Sequence, residues 1–231
     1  GAAGCFTQRE RESYLPGKFY IKVDSTQRAL RDLAKYYKKK FPIPVVALTG
    51  SVGKTTTKDM VAAVLGEKYR VLKTEGNLNN EIGVPMTLLR LGSEHEIAVL
   101  ELGMNHAGEI DYLSALVEPD VVLMTNIGDS HIEHFGSREK ILEAKSEIFH
   151  HAKPDAFVVI NGDDPLLSTL PGTLPFSFRD TILSFSTSTV MDGRTSISLL
   201  PSSKLAWVNA YFIGTSPSLI CSLVLILTIF R

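Results

Sequence analysis

This chain predicts a three-layer α/β fold around a parallel sheet, on three observations. Short apolar runs recur between residues 45 and 161, helical stretches separate them, and a loop rich in glycine and threonine joins the first run to the first helix. The runs VVALT (45–49), IAVLEL (97–102), VVLMTN (121–126) and FVVIN (157–161) are continuously apolar, which suits strands buried on both faces. Helices are read between them at 54–66, about 85–91, 108–117 and 138–151. Strand–helix–strand repetition makes the sheet parallel and places helices on both sides of it. Ligands of such folds lie beyond the carboxyl ends of the strands. The loop at 50–54, Glu101, Asn126 and His131 all fall at those ends.

Composition narrows the function classes. Of 231 residues, 44% are apolar, and 24 basic residues nearly balance 25 acidic ones, so neither a nucleic-acid patch nor a disordered acidic chain is indicated. Cys5 and Cys221 are too far apart in the chain to form a disulfide framework, which fits a reducing compartment and a cytoplasmic location. The amino end, GAAGCFTQRERESY, has no basic segment leading into an apolar one, so no signal peptide is read.

The loop in ALTGSVGKTTTKDM (47–60) is the first chemical signal. Glycines let backbone amides turn toward an anion, and the following helix N-terminus adds its positive dipole end. Lys54 can reach terminal phosphates, and the Thr55 hydroxyl can ligate Mg²⁺. The strict P-loop spacing asks for glycine at position 48, which is leucine here, so the loop is a shortened P-loop-type version. A guanine-reading NKxD element is absent, which argues against a switch GTPase. A small-molecule kinase stays open on the loop alone.

Three further residues bear on that choice. Glu101 ends an apolar strand, where a carboxylate is costly unless paired or bound to a metal; beside a phosphate loop it reads as a Mg²⁺ ligand. TNIGDSHIEHFGS follows the next strand, and within it His131 is read as a ligand while Asp129 and His134 are read as ordinary loop residues. Lys145 lies in the middle of the helical face formed by Ile141, Leu142, Ile148 and Phe149. A lysine there either snorkels or is desolvated, and desolvation lowers its pKa toward neutrality. A neutral amine can take up CO₂ as a carbamate, exchanging a cation for an anion able to hold Mg²⁺.

Six motifs then occur in order: TGSVGKTTTKDM, GNLNNEIGVPMTLL, AVLELGMNHAGEI, TNIGDSHIEHFGS, EAKSEIF and VVINGDDPLL. Together they resemble the central ATP-binding domain of the Mur ligases, most closely the MurF type that adds D-Ala-D-Ala. Folylpolyglutamate synthase and other Mur ligases share the loop. FYIKVDSTQRALRDLAKYYKKKF resembles the end of the family's UDP-sugar-binding domain. The resemblance implies that Gly50, Ser51, Val52, Gly53, Lys54, Thr55 and Thr56 cradle the ATP phosphates. It implies one Mg²⁺ on Thr55 and Glu101, and a second held or oriented by His131 and a carbamylated Lys145. Asn79 and Asn80, otherwise a polar turn, are implied to lie near the metal and the acyl substrate. The implied reaction is amide ligation through an acyl phosphate in peptidoglycan synthesis. Its substrates are UDP-MurNAc-tripeptide and D-Ala-D-Ala; the enzyme acts as a monomer, without nucleic acid or membrane.

The division expected from this resemblance is residues 1–40 as the end of the sugar-binding domain, 41–178 as an incomplete central domain, and 179–231 as an irregular tail outside the family pattern. The tail reads as a frameshifted or truncated frame, and the chain as an inactive fragment of a ligase. The competing reading is a non-catalytic nucleotide-binding remnant. Leu205–Phe230 carries no charge, but Asn209, Gly214 and Pro217 interrupt it. Its strongest part, Leu219–Phe230, falls short of the ~20 residues a membrane span needs.

Overall fold

The computed structural model describes residues 1–10 and 13–170, and the backbone of 182–190 and 194–200. A parallel pair, β1 (Gly4–Thr7) and β2 (Phe19–Lys22), precedes helix α1 (Thr26–Lys38). Ser25 starts α1 by accepting the amide of Arg28 on its side chain. The main sheet follows. Its members are β3 (Val45–Thr49), β4 (Val71–Lys73), β5 (Ile97–Glu101), β6 (Val121–Met124), β7 (Phe157–Asn161), β8 (Ile182–Val190) and β9 (Arg194–Leu200), in spatial order β4-β5-β3-β6-β7-β8-β9. Every pairing is parallel except the β8–β9 hairpin.

The continuous apolar runs are explained by two cores, one on each face of the sheet. Val46, Leu48, Ile97, Val99, Val121, Leu123 and Val159 point to one side and pack with Val61, Ala62 and Leu65 of α2 (Lys54–Gly66). Their neighbours Val45, Ala47, Ala98, Leu100, Val122, Met124, Val158 and Ile160 point to the other. There they meet α1, α3 (Gly83–Leu88), α4 (Glu109–Val117) and α6 (Arg138–Ser146). Strands alternate their side chains between faces, so a strand with helices on both sides has no polar positions to alternate.

The expected strands and helices form at the expected places, with shifted ends. The helix placed at about 85–91 runs Gly83–Leu88 because the Asn80 carboxamide oxygen accepts the amides of Ile82 and Gly83 and starts it early. The helix placed at 138–151 ends at Ser146 and tightens into a 3-10 turn, Glu147–Phe149. A four-residue helix, α5 (Ile132–Phe135), occupies the loop after β6. The expectation of an irregular tail is corrected for the backbone of 182–190 and 194–200, which joins the sheet as β8, parallel to β7, and β9, antiparallel to β8. These serine- and threonine-rich strands lack the apolar run that marked the central ones, so composition hid them. Leu205–Phe230 lies outside the described residues. Among the described residues no helix is long and apolar enough to cross a membrane.

Candidate active site

Because β3, β5 and β6 are parallel neighbours, their carboxyl ends deliver three loops to one edge. Leu48, where a longer phosphate loop would carry glycine, is still a fully buried residue of β3, so the turn begins two residues later. Gly50 has φ +153°, and a Cβ there would lie 1.9 Å from the Thr125 hydroxyl oxygen; only glycine fits. Gly53 has φ +80° and precedes α2 without any side-chain cap. The first intrahelical bond runs from the Thr57 amide to the Gly53 carbonyl, which leaves the amides of Lys54, Thr55 and Thr56 without helical acceptors. Uncapped amides at a helix start are an anion site.

The Lys54 ammonium folds back onto the loop, donating to the carbonyls of Gly50 (2.8 Å) and Ser51 (3.3 Å). Burial pushes its pKa down, while the nearby Glu101 charge works the other way. Glu101 is 1% exposed. One carboxylate oxygen accepts the Thr55 hydroxyl at 3.0 Å and the other accepts the Asn79 carboxamide at 2.8 Å. Its amide donates to the Thr74 hydroxyl at 3.0 Å. Thr55, Glu101 and Asn79, far apart in the chain, therefore form one connected group. No ion pair reaches Glu101 among the described residues.

Lys145 is 2% exposed, on the apolar face where the helical pattern put it. Desolvation, and then the charge of Lys54, lower its pKa to about 7. The α6 lysine and the phosphate-loop lysine are therefore near enough for their charges to interact. His131 sits at the same edge, in the left-handed conformation at φ +67°, with its ring stacked 6.4 Å from that of His134. No hydrogen bond joins His131 to Glu101 or Lys145 among the described residues. Hydrogen bonds thus join Thr55, Glu101 and Asn79, charge interactions relate Lys54 to Glu101 and to Lys145, and His131 takes part in none of these contacts among the described residues. Asn80 is spent on starting α3 and lines a cavity of about 410 Å³ together with Gln27, Leu30, Ile82, Asn105 and Glu109. A larger hollow, about 1010 Å³, is lined by residues of the β1–β2 region and Thr26 and contains none of these groups.

The residues fit a nucleotide with Mg²⁺. A buried carboxylate that makes no direct ion pair among the described residues, next to a hydroxyl and free helix amides, supplies hard oxygen ligands for such a cation. Among the described residues no three His, Cys, Asp or Glu side chains converge on a metal position.

Several supporting residues carried no signal of their role in the sequence. Asn126 was legible only as a strand end, yet it clamps the Val52 peptide from both sides: its oxygen accepts the Val52 amide (2.9 Å) and its nitrogen donates to the Val52 carbonyl (3.0 Å). The Thr125 hydroxyl donates to the same carbonyl at 2.8 Å. Thr74 and Asp164 act through backbone amides, which spacing does not reveal.

The Mur ligase middle domain model matches residues 48–204. The match carries on past residue 178, so the segment 179–204 falls within the family pattern and not outside it. The UDP-N-acetylmuramoyl-tripeptide–D-alanyl-D-alanine ligase of Bacillus subtilis is 54% identical over 147 residues, covering 64% of this chain and 32% of that protein. MurF from Acinetobacter baumannii superposes with TM-score 0.79 at 32% identity, over 97% of this chain and 50% of that one. The MurF ligase of Thermotoga maritima, solved in complex with ADP, gives TM-score 0.78 at 30% identity, over 100% of this chain and 54% of that one. The chain spans about a third of the curated relative and about half of the two solved structures. With the family pattern over most of its length and the phosphate-loop edge assembled as described, this chain belongs to the Mur ligase middle-domain family.

Proposed function

We propose that this chain carries the ATP- and Mg²⁺-binding part of a ligase that joins D-Ala-D-Ala to UDP-MurNAc-tripeptide. The observation that carries the reading is the buried Glu101 carboxylate bridging Thr55 and Asn79 beside the uncapped start of α2. Residues 1–40 belong, on this reading, to the end of a sugar-binding domain, and the enzyme works as a cytoplasmic monomer.

A carboxylate is a poor acylating agent. The tripeptide's terminal carboxylate oxygen attacks the γ-phosphorus of ATP, the bond to the bridging oxygen breaks, and ADP leaves. The amine of D-Ala-D-Ala then attacks the acyl carbon, phosphate departs, and the amine loses a proton. Both steps crowd anionic oxygens together. Lys54 and the amides of residues 54–56 offset that repulsion at the phosphates. Mg²⁺, when bound by Thr55 and Glu101, supplies further charge neutralisation. Asn79 and Asn80 orient the acyl substrate, and His131 and Lys145 complete the second cation position. The Lys145 amine, neutral in part near pH 7, attacks CO₂, forms the N–C bond and releases a proton, leaving a carbamate anion.

The test is direct. Calorimetric titration with Mg·ADP is expected to show saturable binding that Lys54→Ala removes. In ¹³C-bicarbonate, NMR is expected to show one carbamate resonance that Lys145→Ala removes. No Mg·ADP binding by the unmodified chain would overturn the nucleotide reading, and no such resonance would overturn the carbamate.

A further inference from the structure

Apart from the Lys54 ammonium, the phosphate loop takes its hydrogen bonds at Ser51 and Val52 from outside itself. Its Ser51 amide donates to the Asn126 carbonyl at 3.0 Å, and both polar groups of the Val52 peptide are taken by the Asn126 side chain. The Ser130 hydroxyl donates to the Ser51 carbonyl, and the Ser51 hydroxyl to the Gly128 carbonyl. All these partners lie on one segment, 125–130, which connects β6 to His131. That segment is in turn tied to the sheet by the Thr125 amide, which donates to the Thr49 carbonyl of β3 at 3.1 Å, and by one buried side chain beyond β7. Asp164, 9% exposed and just beyond β7, accepts the Ile127 amide on one oxygen at 2.8 Å. Its other oxygen accepts the amides of Leu166 and Leu167 at 2.9 and 3.0 Å.

We infer that Asp164 is a positioning residue for nucleotide binding, acting through Ile127 and Asn126 to hold the phosphate loop. The inference rests on the nucleotide reading above. A carboxylate is suited to the task because it offers acceptors only, on both oxygens, to three backbone donors fixed by different elements. An amide in its place must turn an N–H toward at least one of those donors. The repulsion then falls either on Ile127, next to Asn126, or on the turn after β7. In the first case the Val52 peptide loses its fixed partner, and the free amides at the start of α2 no longer meet the phosphates in one arrangement. Preorganised donors lose their advantage when they must be reordered on binding.

The experiment compares Asp164→Asn with the unmodified chain by two readouts. Amide hydrogen exchange without nucleotide reports the loop: Ser51 and Val52 are expected to exchange at least tenfold faster in the variant, with β3 and β5 amides unchanged. Titration with Mg·ADP reports the consequence, with Kd expected to rise about tenfold or more. Leu116→Ala, a core change remote from the loop, controls for lost stability and is expected to leave both readouts as they were. Should Asp164→Asn fail to fold, Asp164→Ser removes the acceptor from the Ile127 amide while leaving one for the turn after β7, and the same two changes are expected. Unaltered exchange at Ser51 and Val52, Mg·ADP affinity within twofold of the unmodified chain, or equal effects from Leu116→Ala would overturn the inference. If the unmodified chain binds no Mg·ADP, the nucleotide reading and with it the assigned role fall, while the exchange data still decide whether Asp164 holds the loop.

Discussion

At Lys145 a single side chain carries both a cost and a use. Its pKa is about 7 in the folded chain against 10.5 in the unfolded one. Between those values the unfolded chain holds a proton that the folded chain has lost, so stability climbs as pH rises through this window. Below about 7 both states are protonated, and the fold bears the full cost of the buried charge, with an upper bound of roughly 5 kcal/mol. In CO₂-free buffer, Lys145→Met is therefore expected to melt higher than the unmodified chain at pH 6. The difference should shrink steadily toward pH 10, as thermal scans across pH would show; a gain independent of pH would contradict the desolvated lysine. On the proposed reading, Lys145→Ala in a full-length ligase is expected to lose activity and regain part of it with added short carboxylates. Gly50 is a second position with no freedom. Gly50→Ala drives a Cβ into Thr125, so Mg·ADP affinity should fall more than tenfold while circular dichroism keeps its helical signal.

Elements in this fold are finished by residues from elsewhere in the chain. Helix α4 begins at Gly108, in the left-handed conformation and without a local side-chain cap. Instead the Glu147 carboxylate, from the 3-10 turn after α6, accepts the Gly108 amide at 2.7 and 2.9 Å and the Asp111 amide at 3.1 Å. The carboxylate also meets the positive end of the helix dipole. Glu147→Ala is expected to cost about 1–2 kcal/mol by urea denaturation, in the range of a lost N-cap. Ser25→Ala, which removes the local cap of α1, should cost about 1 kcal/mol. The contrast shows what could be read beforehand. A serine just before a helix is a local signal, whereas the acid that caps α4 lies 39 residues from Gly108. The periodicity of EAKSEIF located Lys145 correctly because a helix face is also local. The role of Glu147 was illegible because its partner is set by how α6 returns across the sheet.

Across the molecule, strands from a continuous stretch of chain bring the loops together, and a ligand that bridges them should act as a brace. Mg·ADP at a hundred times its Kd is expected to raise unfolding free energy by about 2.7 kcal/mol, a gain that Lys54→Ala abolishes in thermal scans. Most of the architecture was legible from hydropathy: buried parallel strands are apolar throughout, and glycine followed by Lys-Thr marks the turn between a strand and a helix start. The hairpin β8–β9 was not legible, since its serine- and threonine-rich strands resemble loop composition. Residue types at the site could likewise be named from motifs, because their chemistry belongs to the side chains. Their arrangement could not. Thr55 meets Glu101, Lys54 opposes Lys145, and Asp164 reaches Ile127 because parallel strand ends converge in space, and such distances arise from sheet order and packing that no local spacing encodes.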